Sequence, residues 1–129
     1  ASNHDFLVID LEATCDDGVP PLFPREEMET IEIGAVHVCG RTLAPLREFQ
    51  TFIRPVRHPV LTPFCLSLTS IKQEQVDAAP GFREAIDLLR AFMGSTGAGD
   101  NFVVDFYFDF GASAMTNRPS EQLSFNGDG

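Results

Sequence analysis

The stretch FLVIDLEATC, Phe6 to Cys15, sets two carboxylates, Asp10 and Glu12, one residue apart at the end of an apolar run. Phe6–Leu11 is continuous and carries β-branched side chains, which suits a buried strand. On a strand, residues i and i+2 face the same side with Cα atoms about 6.6 Å apart. Asp10 and Glu12 therefore project together from the strand's C-terminal end, where open α/β sheets place their ligands. Like charges at that spacing repel, and a divalent cation between them is an economical remedy. Oxygen-only ligation suits Mg²⁺ or Mn²⁺, which favour carboxylates and waters. The competing reading puts Glu12 in solvent at the strand's end and Asp10 at the start of a turn. A D-x-E pattern alone leaves both open.

Outward from that strand, CDDGVPPLFPREEME (Cys15–Glu29) holds a glycine, three prolines and five acids, the composition of a loop. TIEIGAVHV (Thr30–Val38) reads as a second strand and REFQTFIRP (Arg47–Pro55) as a third, giving an antiparallel meander. After the proline-rich RPVRHPVLTP the period changes. Ser70 followed by Gln73 matches a capping box and predicts a short helix through about Val76. Pro80 opens another helix, with Phe82, Ile86, Leu89 and Met93 on one apolar face and Gly94 as its stop. STGAGD (residues 95–100) reads as a linker, NFVVDFYFDF (Asn101–Phe110) as a fourth strand, and the polar, glycine-containing remainder as a poorly ordered tail. Three strands, helices and another strand define an α/β domain with a mixed sheet.

The chain has 129 residues and a formal net charge of −10, enough for one domain with a real core and contrary to a broad basic face for nucleic acid. Cations bound at an acidic site would supply positive charge locally. Arg41, Arg47, Arg54 and Arg57 fall close together in sequence and allow a small basic patch; solvated loop charges are the simpler reading. The three cysteines (Cys15, Cys39, Cys65) have no CxxC spacing and read as buried or free thiols in a reducing, cytoplasmic setting. No apolar run is long enough for a membrane span, and the first residues lack the pattern of a signal peptide. His4, His37 and His58 read as surface or packing residues.

Taken together, VIDLEATCDDG, the EMETIEIGAV strand and FCLSLTSIKQEQVD (Phe64–Asp77) resemble the DnaQ-like DEDD exonucleases. The likeness is nearest to the branch of histone-mRNA and small-RNA 3′-end exonucleases and their bacterial relatives, and it runs in order from Phe6 to about Met93. It implies a ribonuclease-H-like fold and metal-dependent removal of nucleotides from single-stranded RNA or DNA 3′ ends by two Mg²⁺ or Mn²⁺ ions. Asp10 and Glu12 would be the catalytic, metal-binding pair. The backbone at Ala13 and Thr14 would approach the terminal nucleotide, while Phe64, Leu68 and Thr69 would pack against its base and sugar. Ser70 stands where the family usually has glycine, and its extra side chain is expected to narrow the nucleotide pocket.

The later motifs are where the chain departs from the family. Phe108–Asp109 is similar to the Tyr–Asp pair of the second motif, which makes Asp109 the candidate third metal ligand; an exposed acid on an edge strand fits the same alternation. The third motif, a late helix with a His and an Asp, has no counterpart. The expected organisation is thus the N-terminal part of an exonuclease domain over residues 1–94, then residues 95–129, with the domain C-terminally truncated. The alternative is a catalytically incomplete nuclease-fold module that binds nucleotide, metal or a protein partner, and beyond that an α/β domain whose acid pair is incidental. The Phe-rich fourth strand is expected to offer self-association.

Overall fold

The computed structural model describes residues 4–99 and 101–106. Four strands, β1 (Phe6–Ala13), β2 (Thr30–Val38), β3 (Pro45–Phe52) and β4 (Phe102–Phe106), form one sheet in the order β3-β2-β1-β4. The first three run antiparallel, as the meander predicts, and β4 joins β1 in parallel. The sheet is therefore mixed and β1 is central. Three helices lie between β3 and β4: α1 (Pro63–Thr69), α2 (Gln73–Asp77) and α3 (Phe82–Thr96).

The pleat of β1 divides the molecule. Leu7, Ile9 and Leu11 are fully buried and meet Ile33 and Ala35 of β2 and Ala85, Ile86, Leu89 and Phe92 of α3 in one apolar core. The alternating residues Val8, Asp10 and Glu12 point to the other face and are half-buried or exposed. A second core gathers Ala13, Cys15 and Ile31 with Leu61, Cys65, Ile71 and Val76, so α1 and α2 grip the C-terminal end of β1.

Several element ends differ from the sequence expectation. The α1 helix begins at the last proline of the proline-rich stretch and fills residues to which the sequence assigned no element. Pro63 occupies its first turn, where no N–H is needed, and the Thr62 hydroxyl accepts from the Cys65 N–H at 3.0 Å. Ser70 does not open α2 but closes α1, in the left-handed conformation with φ 63°. A left-handed residue favours glycine, so a glycine at this position would relieve the backbone. Helix α2 begins instead after Lys72, whose N–H donates to the Gln75 side chain at 2.8 Å. Helix α3 runs past Gly94 to Thr96 and stops where Gly97 takes φ 74°. On its apolar face Phe92 is buried, and Phe82 and Met93 only pack at the margin. Strand β3 ends at Phe52, and the chain then turns toward Pro80, whose carbonyl accepts from the Arg54 N–H. Residues 107–110 of the expected fourth strand, Asp109 among them, and the expected tail lie outside the described residues.

Candidate active site

The candidate site is built on the open face of β1. Asp10 is exposed and Glu12 half-buried, both on the side of the strand away from α3. Antiparallel pairing brings Glu12 opposite Glu32 and Asp10 opposite Gly34. Directly opposed residues share a face, so Glu32 is a third carboxylate on this surface. Sequence reading passed over it, because only the β1–β2 register reveals the juxtaposition. Its Oε2 accepts from the Gln50 side chain at 2.9 Å, which holds it toward β3. On the other side of β1, the backbone of Asp105 pairs with that of Asp10. Register shifts between Glu12 and Ala13, a local irregularity of the kind that re-aims side chains at strand ends.

Beyond the acids, Ala13 and Thr14 are both 2 % exposed, so their side chains face inward. The Thr14 N–H donates to the Glu29 carbonyl at 2.8 Å, and the Glu29 N–H returns a bond to the Thr14 hydroxyl at 2.9 Å. The segment is a backbone wall held by this reciprocal pair of bonds. Helix α1 stands beside it. The Thr62 hydroxyl donates to the Cys15 carbonyl, and the Cys65 thiol lies 3.7 Å from the Ala13 carbonyl. The Cys15 thiol is pushed up from its ordinary value, first by its hydrogen bond with Cys65 and then by burial. Cys15, Cys39 and Cys65 are buried and free, as expected.

Helix α1 thereby carries Phe64, Leu68 and Thr69 next to the end of the acid-bearing strand. Phe64 is half-buried, Leu68 is exposed, and the Thr69 hydroxyl is committed to the Cys65 carbonyl at 2.8 Å. Against Phe64 lies a cleft of about 490 Å³ whose other walls include Asp16, Phe23, Arg25 and Met28. The Asp16 carboxylate accepts from the Gly18 and Leu22 N–H groups, at 3.3 and 2.9 Å, and shapes that loop.

The histidines have other work. His37, on β2, pairs with Asp5 at 2.9 Å at the start of β1, the opposite end from the acids. His58 stacks on Phe23 with ring centroids 4.2 Å apart and meets Glu27 at 2.8 Å. Arg54 and Arg57 line one surface cleft together with Glu26 and Glu29. Arg47 donates to the Ser95 hydroxyl and carbonyl, Arg54 to the Ala79 carbonyl and Arg57 to the Glu26 carbonyl.

An oxygen-only donor pair fits a hard divalent cation. Among the described residues, no three His, Cys, Asp or Glu side chains are grouped closely enough to hold one by themselves. Asp10 and Glu12 thus fit as part of a ligand set, to be completed by waters, substrate oxygens or residues outside those described.

The comparisons with known proteins place this fold in a family. The RNase T family model, described as exonuclease, matches residues 7–111, and the chain belongs to that family. It is 37% identical over 108 residues to ERI1 exoribonuclease 3 of Bos taurus and of Homo sapiens, covering 84% of this chain and 31% of each relative. It is 41% identical over 86 residues to human 3′-5′ exoribonuclease 1, covering 66% of this chain and 24% of that one. The chain therefore spans less than a third of the length of these relatives.

Among solved structures, the nuclease domain of 3′hExo, a DEDDh family member bound to rAMP, superposes with a TM-score of 0.71 at 31% identity, over 95% of this chain and 60% of that one. A structure on 3′-end recognition of the histone mRNA stem-loop by 3′-exonuclease gives 0.63 at 33% identity, over 84% and 37%. The mixed sheet with its helices is the ribonuclease-H-like fold of these nucleases, and metal dependence is general to their family. No helix of the described residues is long and apolar enough to cross a membrane.

Proposed function

We propose that this chain is the acid-bearing part of a 3′–5′ exonuclease that trims RNA 3′ ends. The observation that carries the reading is the placement of Asp10 and Glu12 on the same face of the central strand, away from α3 and next to the α1 wall. Kinship with proteins named exoribonucleases favours RNA over DNA.

Asp10 and Glu12 would hold Mg²⁺ or Mn²⁺, with Asp109 as a further ligand. When bound, such ions activate water and stabilise the charge that develops on the leaving oxygen. The protein's own part is placement. Two carboxylates fixed on a strand bring two negative charges to a site whose substrate is itself anionic, so they hold the 3′-terminal phosphate only through a cation. Phe64 and Leu68 offer apolar faces to the terminal base, which grips without reading sequence. The buried Ala13–Thr14 backbone sets the depth to which that nucleotide enters.

The test is incubation of 5′-labelled single-stranded RNA and DNA with the protein and Mn²⁺, beside Asp10→Ala. Shortening from the 3′ end that the substitution and EDTA abolish is the expected result. Binding of nucleotide without shortening would point to a nuclease-fold binding module. Shortening that survives Asp10→Ala would remove the acid pair from the chemistry.

A further inference from the structure

The Glu29 side chain makes bonds that neither the metal pair nor the core requires. Its two carboxylate oxygens accept from three consecutive backbone N–H groups: Val56 at 2.9 Å to Oε2, Arg57 at 2.9 Å and His58 at 3.3 Å to Oε1. Successive N–H groups turned toward one point form an anion-binding nest, and here the anion is a side chain of the same protein. The main chain of Glu29 is meanwhile locked to Thr14 by the reciprocal pair of bonds at 2.8 and 2.9 Å.

One residue thus joins two walls. Thr14 lies two positions beyond Glu12, on the segment that closes the acid-bearing strand. The 56–58 loop leads within a few residues to Thr62, which caps α1, and to Phe64 and Leu68 on that helix. Neighbouring contacts tie the same loops together: Phe23 on His58, and His58 with Glu27. Glu29 alone reaches both the strand end and the loop backbone among these. Its geometry is demanding. Asp is a methylene short of the nest, and Gln replaces one acceptor oxygen with a donor facing N–H groups.

We propose that Glu29 is a positioning residue for substrate: it sets the distance between the acid-bearing strand end and the base-holding face of α1. This rests on the exonuclease reading above. Misplacing a binding wall by about an ångström weakens or slows what depends on it by one to two orders of magnitude. Cation binding at Asp10 and Glu12, which sit on the strand itself, does not depend on that distance.

The experiment uses the full chain and two probes, Mn²⁺ alone and AMP in the presence of Mn²⁺, each followed by calorimetric titration of wild type, Glu29→Ala and Glu29→Gln. AMP affinity is expected to fall about tenfold in Glu29→Ala and by a smaller factor in Glu29→Gln, which keeps one acceptor, with Mn²⁺ affinity held within about twofold. If Glu29→Ala does not fold, the Glu29→Gln comparison alone decides. AMP affinity unchanged in the variants would overturn the proposal, and so would a parallel loss of AMP and Mn²⁺ binding, which is the mark of general unfolding. Wild type that binds Mn²⁺ but no AMP would bring down the exonuclease reading, and the proposal with it.

Discussion

The two faces of strand β1 are made by the same eight residues and behave as two different materials. On one, Leu7, Ile9 and Leu11 vanish beneath α3. On the other, Val8, Asp10 and Glu12 look across Val36, Gly34 and Glu32 of β2 and lie outside both apolar cores. Alternation along a strand needs nothing more than a period of two to produce this. The lesson is a division of labour. Stability is concentrated on one face, which frees the other to hold like charges close together, an arrangement a core could not tolerate.

The contrast can be broken from the core side first. Leu89→Ala empties a fully buried position against β1 and is expected to cost about 3 kcal/mol in urea unfolding. Asp5→Ala comes next. Asp5 accepts from the Gly40 N–H at 3.1 Å and pairs with buried His37, so its loss strands both groups and should cost about 2 kcal/mol by the same measurement. Ser70→Gly acts in the opposite direction, relieving the left-handed backbone at φ 63°; a gain of about 0.5–1 kcal/mol is expected, read as a higher urea midpoint with unchanged slope. The smallest effect belongs to the open face. Glu12→Gln, measured without metal, should stay within about 0.5 kcal/mol of wild type, because it keeps the side chain's size, lies outside the apolar cores and relieves repulsion from the facing Glu32. A large loss there would mean the two faces are not separate in function.

Much of this was legible in the sequence, for physical reasons that differ by element. Strand β2 was bounded correctly, and its burial alternates from Ile31 to Val38. The acid pair was legible because two residues at i and i+2 need only the strand to share a face. Helix α1 was missed because seven residues starting at a proline show less than two turns of periodicity, and its start depends on a single Thr62 cap. The end of β3 was displaced by a contact remote in sequence, the Arg54–Pro80 bond, and the end of α3 by the choice of Gly97 over Gly94 as its left-handed stop. Glu29 and Glu32 look like ordinary loop and strand acids until register and loop packing bring them to Thr14, the 56–58 backbone and Glu12.

The most direct test of the central claim, that the open face is built to hold a divalent cation between Asp10 and Glu12, is thermal unfolding of wild type and of Asp10→Asn/Glu12→Gln with and without Mn²⁺. A ligand bound only by the folded state stabilises it by about 2.7 kcal/mol at a hundredfold excess over its Kd. The account predicts a rise in Tm of the wild type with increasing Mn²⁺ that the double variant lacks. Equal shifts in the two proteins, or none in either, would contradict it.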